Sequence, residues 1–118
     1  MTPILDANAL YKRGFDLRCE GRYSEAKAEL KKVLESDPNH VDAKWQLGLI
    51  QGFEGDFDGS LSTLQTLTQA NPGHTDLRYD LAMTQMMLGM YEEACENLRI
   101  VLQQDPNHEK ANRQSGYC

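Results

Sequence analysis

Three pairs of apolar residues, Leu30 with Val33, Leu64 with Leu67 and Leu98 with Val101, stand three residues apart within a pair and 34 residues apart from pair to pair. A spacing of three places both members on one face of a helix, so the pattern predicts three equivalent amphipathic helices at a fixed interval. The polar punctuation keeps the same period. Pro38, Pro72 and Pro106 each follow an Asp or Asn, with His40, His74 and His108 two positions on, and Gly21, Gly55 and Gly89 each precede an aromatic by two. Proline disfavours helix in the residue before it, and glycine takes the left-handed backbone that closes a helix. The chain therefore predicts two helices per block: first helices near 7–20, 41–54 and 75–88, second helices near 24–36, 58–70 and 92–104.

Small residues share the period. Gly14, Gly48 and Ala82 in the first helices, with Ala26, Ser60 and Ala94 in the second, predict close crossing of the two helices of each block. The column Tyr23, Phe57 and Tyr91 is expected to plug the gap beside each turn. Residues 109–118 read as the start of a further first helix, with Ser115-Gly116 in register with Leu47-Gly48, and as a short cap over the last apolar flank.

These residues resemble the tetratricopeptide repeat, a helix–turn–helix unit of 34 residues. The resemblance covers blocks 7–40, 41–74 and 75–108, through Leu47-Gly48, Ala26, Ala94 and the three closing prolines. It implies an all-α fold, a right-handed superhelical solenoid of three repeats plus a short C-terminal capping helix, forming a single domain over 1–118. It also implies a noncatalytic adaptor that binds a peptide or helix of a partner protein in a concave groove. The chain departs from the family pattern at Leu10, Lys44 and Arg78 and at Leu17, Gln51 and Gln85, where large aromatics are usual. The long stems of Lys44 and Arg78 are expected to cover apolar surface with their charges in water.

In the family's architecture the first helices line the groove. Their stripes present Asn8, Tyr11, Lys12, Phe15, Arg18 and Cys19, then Asp42, Trp45, Gln46, Leu49 and Phe53, then Asp76, Tyr79, Asp80, Met83, Met86 and Met87. Aromatics collect there beside flexible thioethers, which suit a surface that adapts to a partner, although a methionine stripe at this spacing equally suits a core. Asp42, Asp76 and Asp80 are expected at the rim, which selects an apolar and basic segment. Two of those acids would repel the terminal carboxylate that one subset of the family clamps.

Charge sharpens this picture. The net charge is −6; residues 1–40 carry seven basic and seven acidic side chains, residues 41–74 one and four, residues 75–108 two and six. An acidic surface excludes nucleic-acid binding, which needs cations to displace phosphate counterions. No apolar run is long enough to span a bilayer and the start lacks the features of a secretory signal, so a cytoplasmic protein is expected. Cys19, Cys95 and Cys118 show no metal or disulfide spacing and are expected as free thiols of a reducing compartment. Equivalent positions on stacked repeats lie too far apart for His40, His74 and His108 to share a metal, so they read as turn residues. No nucleophile motif, phosphate loop or cofactor site is present, and no enzyme is expected. The alternatives to an adaptor are self-association through the repeat ends, giving a weak homo-oligomer rather than a monomer, or a regulatory segment of a larger complex.

Overall fold

The computed structural model describes residues 6–118. Seven helices follow one another: α1 Ala7–Cys19, α2 Tyr23–Ser36, α3 Val41–Phe53, α4 Phe57–Ala70, α5 Thr75–Met87, α6 Tyr91–Gln104 and α7 Glu109–Ser115. Each predicted boundary lies within a residue of the observed one. The reason is local chemistry that the period repeats. Gly21, Gly55 and Gly89 turn the chain at φ of 78°, 95° and 77°, in the left-handed region where a Cβ would strain the backbone. No other residue among those described has positive φ outside glycine.

The second punctuation mark does more than end a helix. His40, His74 and His108 each accept, through Nδ1, the backbone N–H three residues on, from Ala43, Leu77 and Ala111 at 3.0, 3.2 and 3.1 Å. They cap the helices that begin α3, α5 and α7, satisfying an amide the helix cannot satisfy itself. Asp6 does the same for α1, at 2.8 Å from the Ala9 nitrogen.

The apolar faces meet between repeats as well as within them. One core cluster joins Ala26, Leu30 and Val33 of α2 to Ala43 and Ile50 of α3. A second joins Leu64 and Leu67 of α4 to Leu77 and Leu81 of α5. A third joins Ala82 of α5, then Ala94, Leu98 and Val101 of α6, to Ala111 of α7. Helix pairs thus stack side by side into an all-α solenoid measuring 55 × 28 × 22 Å.

Close crossing holds with a change of partners. A Cβ on Gly14 would fall 2.7 Å from Leu30 and 3.5 Å from the Ala26 carbonyl, and one on Gly48 would fall 3.0 Å from Thr63. Ser60 is approached instead by Gly52, at 3.2 Å from a Cβ built there. Where the aromatics are lacking, polar pairs join the two helices of a repeat: Thr63 donates to Gln51 at 2.7 Å, Asn97 donates to Gln85 at 2.7 Å, and Arg78 donates to Asn97 at 2.9 Å.

Two expectations are corrected. Cys95 of α6 and Cys118 are joined in a disulfide across 23 residues, and among the described cysteines Cys19 alone is free. Sequence spacing could not show this, because α7 must first fold back on α6 to bring the sulfurs together. The pairing withdraws the thiol argument for a reducing compartment. The aromatic column also fails as a uniform plug. Tyr23 stacks on Phe53 with ring centroids 5.7 Å apart, but Tyr91 is 63% exposed. Phe53 belongs to the next repeat.

Candidate functional site

The helices α1, α3 and α5 lie side by side and bring the predicted stripe together, but its members divide into two kinds. Tyr11, Trp45 and Tyr79 are half-buried rather than open, and each ring packs against the histidine that opens the next repeat, with centroids 5.3, 5.0 and 5.4 Å apart. Burial raises the hydroxyl pKa of Tyr11, helped by the Asp42 charge, and burial with the Asp80 charge does the same for Tyr79. These three aromatics serve cohesion between repeats.

The acids are similarly engaged. Trp45 donates its indole N–H to Asp80 at 2.8 Å. Desolvation is the larger influence on that carboxyl and raises its pKa; the indole hydrogen bond and Lys110 oppose it in part. Asp80 is therefore half-buried between α3 and α5 and not a rim charge, which corrects its expected place. Asp76 lies 2.8 Å from His108 Nε2 and Asp42 lies 4.0 Å from His74 Nε2, yet their side chains stay 68% and 50% exposed. Both keep a face to solvent at the edge.

What remains open is apolar. Phe15 is 37%, Phe53 55% and Met87 64% exposed. Leu49, Phe53, Phe57, Met83 and Met87 surround a cleft of about 160 Å³, with Asp80 in its wall. Phe57 was expected to plug a turn, and it lines this cleft because it stands where Tyr23 stands one repeat earlier, opposite Met87 in place of Phe53. Met83 and Met86 lean on the third core cluster, so the methionine stripe is part core and part surface.

One member of the predicted stripe acquires a role its position did not show. Arg18 of α1 donates from Nε to Gln46 Oε1, and its guanidinium lies over the rings of Phe15 and Phe53 at 5.1 and 5.9 Å. Gln46 is buried and fixes that guanidinium in turn, its amide reaching the Tyr11 hydroxyl at 3.5 Å. Helical spacing puts Arg18 on the stripe but gives no sign of its partners. Only the approach of α1 to α3 makes it a cation seated between aromatics. No group of three His, Cys, Asp or Glu among the described residues could hold a metal, and no described helix is long and apolar enough to cross a membrane.

Known proteins agree with this architecture. Tetratricopeptide repeat family models match residues 7–40 and 54–113. The chain belongs to the tetratricopeptide repeat family, whose fold is a scaffold for protein interaction. Among solved structures it is similar to YrrB, described as a TPR protein with an unusual peptide-binding site, at 26% identity and a TM-score of 0.80, over 96% of this chain and 58% of that one. It is similar also to MamA residues 41 to the end from Desulfovibrio magneticus RS-1, at 25% identity and a TM-score of 0.78, over 95% of this chain and 63% of that one. A structure of MamA AMB-1 shares the fold at 24% identity and a TM-score of 0.73, over 96% and 62%. The chain thus spans about three fifths of the length of these relatives. No curated protein sequence matches it.

Proposed function

We propose that the face shared by α1, α3 and α5 binds an extended or helical segment of a partner protein through apolar anchors, without catalysis. The observation that carries this reading is the open Phe53 and Met87 at a cleft walled by Leu49 and Met83, with the open Phe15 joined to Phe53 by the Arg18 guanidinium. Monomeric proteins seldom leave contiguous apolar surface of this kind uncovered. Asp42 and Asp76 at the edge favour basic residues flanking the anchor, while Arg18 at the α1 end favours an acid or a carbonyl there. The peptide-binding site ascribed to YrrB supports the same use of the fold.

Selection of binders from a random peptide library against the intact protein tests this. Enriched peptides should carry an aromatic or aliphatic anchor beside Lys or Arg, and Phe53→Ser with Met87→Ser should weaken them at least about tenfold, since buried anchors dominate such interfaces. Peptides that bind the double variant undiminished would overturn the groove reading. The exposed Tyr91 and the 81% exposed Tyr117 favour a second reading, stacking of copies through the C-terminal end. Light scattering over a concentration series distinguishes the two, because a monomer at the highest concentration removes stacking.

A further inference from the structure

A second cleft, of about 530 Å³, opens between α2 and α4 with α3 as its floor. Its α3 residues are Lys44, Leu47 and Gln51. At about 100° per residue these lie across the helix from Trp45, Leu49 and Phe53, so the cleft faces away from the groove already described. Leu47 and Leu67 give it an apolar floor, Lys31 and Lys44 stand over that floor, and the hydroxyls of Ser62 and Thr66 line the far wall.

The charge of this cleft is not neutralised from within. Lys27 at its border is paired with Glu54 at 2.9 Å. Lys31 and Lys44 take part in no ion pair among the described residues. The same backbone geometry recurs one repeat later, and there the outcome differs. Positions 61, 65 and 78 replace the three lysines with Leu61, Gln65 and Arg78, and Arg78 is held by Asn97 at 2.9 Å. Asn97 stands where Thr63 stands, and its longer side chain reaches both Arg78 and Gln85. The cleft at that seam is about 210 Å³. The fold therefore supplies a cleft at each seam, while residues particular to the first seam make it larger and leave two ammonium groups unpaired.

We propose that this cleft is a second docking site, for an acidic segment of a partner protein that places one apolar side chain on Leu47 and Leu67 and carboxylates on Lys31 and Lys44. Charge complementarity selects the occupant: in a chain of net charge −6, this is a locally cationic cleft with an apolar base. Nucleic acid fits less well. Two free lysines neutralise few phosphates, and the surrounding acids repel a dense polyanion. The two faces of α3 then have opposite preferences, basic segments in the groove and acidic ones behind it, so one molecule can hold two partners at once.

The test uses the full chain and a fluorescent nine-residue peptide with a Leu-Phe pair between two runs of Glu, alongside a version with Gln for every Glu and a ten-nucleotide thymidine strand. The acidic peptide should bind with backbone amide shifts centred on Lys31, Lys44 and Thr66. The Gln version and the oligonucleotide should each bind at least about tenfold more weakly. Lys31→Glu with Lys44→Glu should lower affinity for the acidic peptide by a similar factor at unchanged helicity, Lys31→Arg with Lys44→Arg should retain it, and Phe53→Ser with Met87→Ser should leave it unaltered. Equal binding of the Gln version, tighter binding of the oligonucleotide, shifts confined to the groove, indifference to charge reversal, or no binding at millimolar peptide would each overturn the proposal.

Discussion

Single side chains in this protein carry several duties, and Trp45 with Asp80 shows the consequence. The indole packs edge-on against His74 and donates to a carboxylate that burial keeps from ionising readily. A carboxyl whose folded pKa lies above its unfolded one binds a proton more readily when folded, so its ionisation costs stability. That cost is felt in full above the raised pKa and disappears as the pH falls through it towards the unfolded value. Asp80→Asn keeps an oxygen for Trp45 and removes the charge. The variant should therefore melt higher than the parent at pH 7.5, with the gap narrowing as the buffer is taken to pH 4, which a pair of thermal denaturation series would show. A gap that widened on acidification would mean that the carboxylate is stabilising. None of this was legible in the letters. Asp80 sits at groove spacing like any rim acid, and only the register of α3 against α5 turns it inward.

At the scale of elements, helix starts and stops were legible almost to the residue, because glycine, proline and capping chemistry act within a few positions and repeat with the period. The partners of those elements were less so. That His40, His74 and His108 receive an aromatic from the preceding repeat depends on stacking, and the choice of Leu30 to fill the space above Gly14 depends on how α1 and α2 cross. The last helix tests this division. α7 has seven residues, too few to persist alone, and it is held by Ala111 in the third core cluster, by the His108 cap and by the Cys95–Cys118 bond. His108→Ala should cost about 1 kcal/mol through the lost cap. Reduction of the disulfide should raise hydrogen exchange at the amides of 111–115 while leaving α1 to α4 unchanged. Protection that survives reduction would show that packing alone secures the helix.

For the molecule as a whole, the three clusters in line predict stability that varies along the stack, since each repeat rests on its neighbours alone. Leu98→Ala, at a site 1% exposed, should cost about 2–5 kcal/mol. Exchange measured residue by residue should place the loss in α5 to α7 before it reaches α2. Uniform loss over all helices would show one cooperative unit instead. The overall shape was legible from the period, but the two faces of α3 were not equally so. Aromatics at helical spacing pointed to the face of α1, α3 and α5, although Tyr11, Trp45 and Tyr79 there pack against the histidines between repeats, whereas the lysine cleft joins residues of three helices whose proximity no single stretch of sequence records. The disulfide has a mechanical consequence as well. Cys118 is tied to Cys95, so tension applied between the chain ends enters at the fifth residue of α6 and bypasses α7 altogether. Stretched to rupture with the bond intact, the chain should extend about 80 Å less than after reduction, the contour of the 23 residues the bond conceals.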